Sequence, residues 1–273
     1  MLSKLIRYEC KATRRMFLPA YAAMLILALI NSIGFALPDY LSEHTSVLFS
    51  VLLTLFIVSI AAAYVLSFAY TIYRFNKNLL SDEGYLMFTL PATPSQLIWS
   101  KCIVSSIWIV LTTIVCVLSL ILLTAPYTIM DLQFSDFNMI WFQIRYVISV
   151  MMQDFGIGIL FVPLELLALG IAATLASCMG MYTCLSIGSL SNKHRLGFAF
   201  LTYIGLSTLQ QILMTVSTSL LDTLFPNLSF GIASADWHYI HFILLGGVVW
   251  MVIQLVIYFV ITNHILSKHL NLL

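Results

Sequence analysis

The chain has 273 residues, of which 61% are hydrophobic and 8% are Asp, Glu, Lys or Arg, with a formal net charge of +1. A soluble domain carries roughly 25% charged residues to clothe its surface, so this composition excludes a water-solvated globule and makes lipid the main solvent. We expect an all-α integral membrane protein of six transmembrane helices forming a single domain, 1–273, with no nucleic-acid partner.

At the N-terminus, Lys4, Arg7, Lys11 and Arg14 recur at steps of three and four, with Leu2, Leu5, Ile6, Ala12, Thr13 and Met16 mainly on the other side. Residues 1–16 therefore read as an interfacial amphipathic helix lying on the cytoplasmic leaflet, drawn to anionic lipid by about 1 kcal/mol per basic residue. The bland alternative is a topology signal only. Six apolar runs follow, at 17–37, 47–73, 94–125, 155–190, 198–220 and 241–263. Each meets the roughly 20 residues needed to cross the hydrocarbon core. They are continuously apolar, not alternating, and backbone groups in lipid must pair internally, so they read as helices. The first run exceeds a signal-peptide core and lacks a convincing small-residue cleavage site before Pro38, so it is expected to remain as a span.

Eleven of the twelve Lys and Arg residues fall on one side of these spans, with Arg145 alone on the other. By the positive-inside rule both termini and the second and fourth loops are cytoplasmic. Asp39, Glu43, Asp131, Asp136, Asp222 and Asp236 then lie outside. A further apolar stretch at 140–152 would reverse the parity and push Lys193 and Arg195 outside; we read it as an external amphipathic or re-entrant segment.

The second loop, RFNKNLLSDEGYLMFTLPATPSQLIWSK, carries two helix starts. Ser81 can cap a short cytoplasmic helix, 81–90, whose first turn holds Asp82 and Glu83 where the helix dipole favours acids. Pro91 disfavours helix just before it, and Thr93-Pro94-Ser95-Gln96 offers a second cap with proline at the first helical position. The short helix bears Tyr85, Leu86, Met87 and Phe88, an apolar group flanked by charge, which points to protein docking ahead of insertion into the interface.

Within the fourth span, Ala168, Ala172, Ala176, Gly180, Cys184 and Gly188 recur at steps of four and make a small-residue face that lets helices approach closely. Packing within the subunit is the simplest use; a dimer interface or a translocation seam is the other. Glu165, two residues after Pro163, is the one carboxylate well inside an apolar run. Counted from a helix start near Phe155 it lies about 15 Å deep. There it would line a hydrated substrate path or make a structural hydrogen bond. The five cysteines imply no disulfide framework. His238 and His241 lack a third ligand, so no metal is expected. Trp141, Trp237 and Tyr239 suit an outer aromatic belt.

No G-x-x-x-x-G-K-[ST] loop, H-E-x-x-H or G-x-S-x-G occurs, so the chain is not expected to be an enzyme. The amphipathic N-terminal helix, six spans and the second-loop motif NLLSDEGYLMFTLP followed by SQLIWSK resemble the membrane-spanning permease subunits of bacterial ABC exporters of the type-2 class. That resemblance implies that the second-loop helix is a coupling helix, with Asp82, Glu83, Gly84, Tyr85, Leu86 and Phe88 contacting a separately encoded cytoplasmic ATPase. It also implies ATP and magnesium on that partner and no cofactor on this chain, and pairing with a second permease subunit, identical or related. The location would be the bacterial cytoplasmic membrane, and the cargo an amphipathic peptide, lipid or drug-like compound. The rival expectations are an ion-gradient-driven secondary transporter and a non-transporting scaffold or sensor that recruits a cytoplasmic protein.

Overall fold

The computed structural model of the chain describes residues 2–35, 39–80, 93–131, 134–155, 158, 161–191, 194–224 and 237–268. These form seven helices: α1 (Leu2–Phe35), α2 (Asp39–Leu79), α3 (Pro94–Asp131), α4 (Phe134–Phe155), α5 (Val162–Gly188), α6 (Arg195–Leu224) and α7 (Trp237–Lys268). No strand occurs among the described residues. All except α4 are long and apolar enough to cross a membrane, through segments of 26 to 33 residues. At 1.5 Å per residue these reach about 39–50 Å, more than a hydrocarbon core of about 30 Å, so they tilt or run on beyond it. Leu209, Val249 and Val260 are among many large apolar side chains more than half exposed. Such surface would drive aggregation in water and is matched to lipid. The chain is a helical membrane protein.

The helix starts at the first and fourth spans differ most consequentially from the sequence reading. The N-terminal segment expected as a helix of its own, 1–16, is instead continuous with the first span: α1 runs unbroken through Pro19. Proline removes one backbone donor, but a helix embedded in lipid has no better alternative for its remaining groups, so it persists. The fourth span begins at Val162, not near Phe155, because Pro163 stands in its first turn, where a missing N–H costs nothing. The stretch at 140–152 lies within α4, a separate helix whose Trp141, Phe142 and Tyr146 are exposed.

The helices form two compact units. The first comprises Met1–Thr71 and Ile103–Ile148. In it Tyr21 meets Thr112 and Met24 meets Cys116, at chain separations of 91 and 92, so α1 and α3 run parallel. Packing between lipid-solvated helices lacks a hydrophobic driving force and relies on fit and polar pairs. Both are present. Phe17 stacks on Trp108 with ring centroids 4.7 Å apart. The fully buried Thr112 hydroxyl lies 2.7 Å from that of Tyr21 and 2.9 Å from that of Ser67, joining α1, α2 and α3.

The second unit comprises Ile72–Cys102 and Ser149–Leu273. Here α5 and α7 run parallel: Glu165 meets His241 and Thr183 meets Thr262, at separations of 76 and 79. The helix α6 returns antiparallel along α5, with the Thr202 hydroxyl donating to the Cys184 carbonyl (3.4 Å) and Ala199 against Gly188. The ends of α2 and α3 complete the unit. Phe75 stacks on Tyr182 (4.1 Å), the Cys102 thiol reaches the Leu175 carbonyl (3.7 Å), and Trp99 packs on Phe259.

Candidate functional site

Three features of the second unit bear on function. The first is the base from which residues 81–92 spring. The expected coupling helix, 81–90, with Asp82, Glu83, Gly84, Tyr85, Leu86 and Phe88, lies outside the described residues, but its two flanks do not. Before it, Phe75, Leu79 and Leu80 are buried, and after it Leu97 and Ile98 are buried as deeply. The Leu80 amide closes on the Asn76 carbonyl (3.0 Å), extending the last turn of α2, and Arg195 donates to the Leu80 carbonyl (3.4 Å). On the far flank the Gln96 and Leu97 amides both reach the Thr93 carbonyl, starting α3. The sequence assigned Arg195 only a topological role; here it also ties the start of α6 to the end of α2.

Lys101, counted in the sequence only as a cytoplasmic charge, is 4% exposed, and Asn78 is equally enclosed. Both are engaged by partners. An ionisable side chain enclosed in an apolar bundle is costly unless partners satisfy it. Hydropathy does not distinguish it from a surface lysine, because enclosure depends on neighbours distant in sequence.

The second feature is Glu165. Its depth changes with the start of α5: it sits in the first turn of that helix, where the dipole favours an acid, and not mid-span. It has a partner that the sequence reading missed. The His241 Nδ1 lies 2.7 Å from both carboxylate oxygens, with the two side chains 15% and 13% exposed. Both residues occupy the N-terminal ends of parallel helices. That shared level is the signal that could have paired them, since the fourth and sixth spans run in the same direction. Glu165→Ala should lower stability by about 1–3 kcal/mol by orphaning an enclosed imidazole, whereas Glu165→Gln should cost less because its amide oxygen can still accept from Nδ1–H. Thermal unfolding in detergent checks this; an alanine variant melting like the parent would show that the pair holds nothing together.

The third feature is the small-residue face of α5. Ala172, Ala176, Cys184 and Gly188 are buried, Gly180 is half-buried and Ala168 is exposed. A Cβ added at Gly180 would come within 3.2 Å of the Tyr258 ring on α7, and one at Gly188 within 2.6 Å of the Ala199 Cβ on α6. The lower part of the face therefore serves close packing inside the unit.

Among the described residues, no three His, Cys, Asp or Glu side chains are grouped as a metal ion would require. No protein-family model, curated protein or solved structure matches the chain.

Proposed function

We propose that the chain is the membrane-spanning subunit of an ATP-driven exporter of the ABC type-2 permease class, working with a separate cytoplasmic ATPase and a second permease subunit. The observation that carries this reading is the mounting of residues 81–92. A docking element can pass a push into a membrane domain only if its ends are fixed to the helices that must move. Here both flanks are buried in one unit, and Arg195 ties the first of them, at Leu80, to the start of α6. The loop itself supplies the acids and the apolar group expected of a docking helix, and the distribution of eleven of the twelve basic residues supports a cytoplasmic position for it by the positive-inside rule. ATP binding would draw two ATPases together, and the docked loops would carry that motion into the spans, with amphipathic cargo leaving by a path between subunits.

The test is affinity purification of the intact protein from its membrane in mild detergent, followed by identification of cytoplasmic partners and an ATPase assay. A stoichiometric ATPase, lost in Phe88→Asp while the permease still melts normally, is the expected result. Purification without an ATPase, or an ATPase that survives Phe88→Asp, would overturn the docking assignment. The Glu165–His241 pair supports a second reading, an ion-gradient-driven secondary transporter, because paired ionisable groups within spans are what such coupling uses. Transport lost in Glu165→Gln and indifferent to ATP would favour it. A partner recovered without any transport would favour the scaffold.

A further inference from the structure

The α6 helix carries adjacent glutamines with opposite fates. Gln210 turns inward and donates to Gln254 on α7 (3.2 Å), itself a buried residue. Gln211 turns outward and is exposed, and its side-chain amide makes no hydrogen bond to any described residue. It lies inside the apolar span Arg195–Leu220, nine residues from its end, or about 14 Å along the axis. Thr208 three residues before it, and Thr215 and Ser219 at steps of four after it, lie on the same face and are exposed as well.

The hydroxyl groups alone would decide nothing, because each is satisfied within its own helix. Thr208 donates to the Ile204 carbonyl (2.9 Å), Thr215 to that of Gln211 (2.9 Å) and Ser219 to that of Thr215 (2.9 Å). Serine and threonine bonded back in this way tolerate lipid. A primary amide cannot hide so: it has two donors and a carbonyl, and a hydrocarbon neighbour satisfies none of them. On the adjoining side of the helix Leu209, Leu213 and Val216 are exposed and wholly apolar, as a lipid-facing surface requires.

We propose that the Thr208–Gln211–Thr215–Ser219 face of α6 borders a water-filled path through the membrane, while Leu209, Leu213 and Val216 face lipid. The stripe offers amide and hydroxyl groups without a formal charge. It therefore suits water together with the uncharged hydrogen-bonding groups of a cargo, such as peptide amides, and provides no fixed charge to select ions. The inference holds whatever drives the movement, so it stands or falls separately from the exporter reading.

The experiment replaces one residue at a time, Thr208→Cys, Gln211→Cys and Thr215→Cys on the stripe and Leu209→Cys, Leu213→Cys and Val216→Cys beside it. Each full-length variant is treated in its membrane with a charged, membrane-impermeant maleimide. The unsubstituted protein, with its own five free cysteines, provides the blank. Thiols react as thiolates, which form in water and not in hydrocarbon, so the stripe positions should label on the order of tenfold faster than the others. Three independent stripe positions keep the result readable if one variant fails to accumulate. Equal labelling of both sets, or stripe positions as inert as their neighbours, would overturn the proposal. In the inert case, an intermolecular disulfide through Gln211→Cys would identify the group covering the amide as a second copy of the chain.

Discussion

Gly188→Ala is expected to lower stability by about 1–3 kcal/mol, the usual cost of forcing a group into a filled space, while Gly170→Ala in the same helix is expected to cost nothing. The two glycines are chemically identical and differ only in surroundings. A Cβ at Gly188 would approach the Arg195 carbonyl oxygen to 2.7 Å and the Ala199 Cα to 3.0 Å. Backbone cannot rotate out of the way as a side chain can. The start of α6 would have to lift from α5, and with Arg195 it would loosen its bond to Leu80. At Gly170 a Cβ would meet nothing within 4 Å, and alanine is the better helix former by up to about 1 kcal/mol. Paired thermal unfolding curves in one detergent check the contrast. Equal melting of the two variants would show that the α5–α6 approach is looser than 188–199 packing requires.

Tyr182→Ala is expected to be more damaging, by about 3–5 kcal/mol, as for a large aromatic side chain removed from a packed core. Tyr182 is 1% exposed, and its ring lies face to face with that of Phe75, which is fully buried, at an interplanar angle of 10°. Tyr182→Phe keeps the stack and should lose about 1 kcal/mol, the value of a hydroxyl's hydrogen bonding. Denaturant or thermal unfolding separates the two variants. Phe75 lies one turn before the segment that leads into residues 81–92, so the alanine variant should also uncouple ATP hydrolysis from transport if the exporter reading holds. Unimpaired transport in a measurably destabilised Tyr182→Ala protein would mean that the loop does not transmit force through this stack.

The spans were legible in the sequence because lipid demands an uninterrupted apolar run, and no neighbour is needed to recognise one. Their starts were less so. Residues 155–161 are nearly as apolar as the helix that follows, so hydropathy ran the fourth span backward past its true beginning, although Pro163 marked the first turn. Pro19 is the opposite case: it suggests a boundary in a soluble chain, and here α1 passes through it. The small-residue face was visible as a period of four, yet only the structure shows that Gly180 meets Tyr258 and Gly188 meets Ala199. Glu165 was visible as an anomaly, but His241 lies 76 residues away and nothing local connects them. Lys101 and Gln211 are the reverse of one another. A charge that looked solvated is enclosed, and an amide in an apolar run is turned outward; both outcomes depend on which face the neighbouring helices occupy.

The parallel register of α5 and α7 has a mechanical consequence. The two helices are pinned at one end by Glu165 and His241, along their length by Leu169 beside Gly247 and Tyr258 beside Gly180, and near the other end by Thr183 and Thr262. Sliding one past the other by a single turn, about 5.4 Å, would break every one of these at once. The pair therefore behaves as one strut. A stroke of the kind the exporter reading requires would have to move α5 and α7 together.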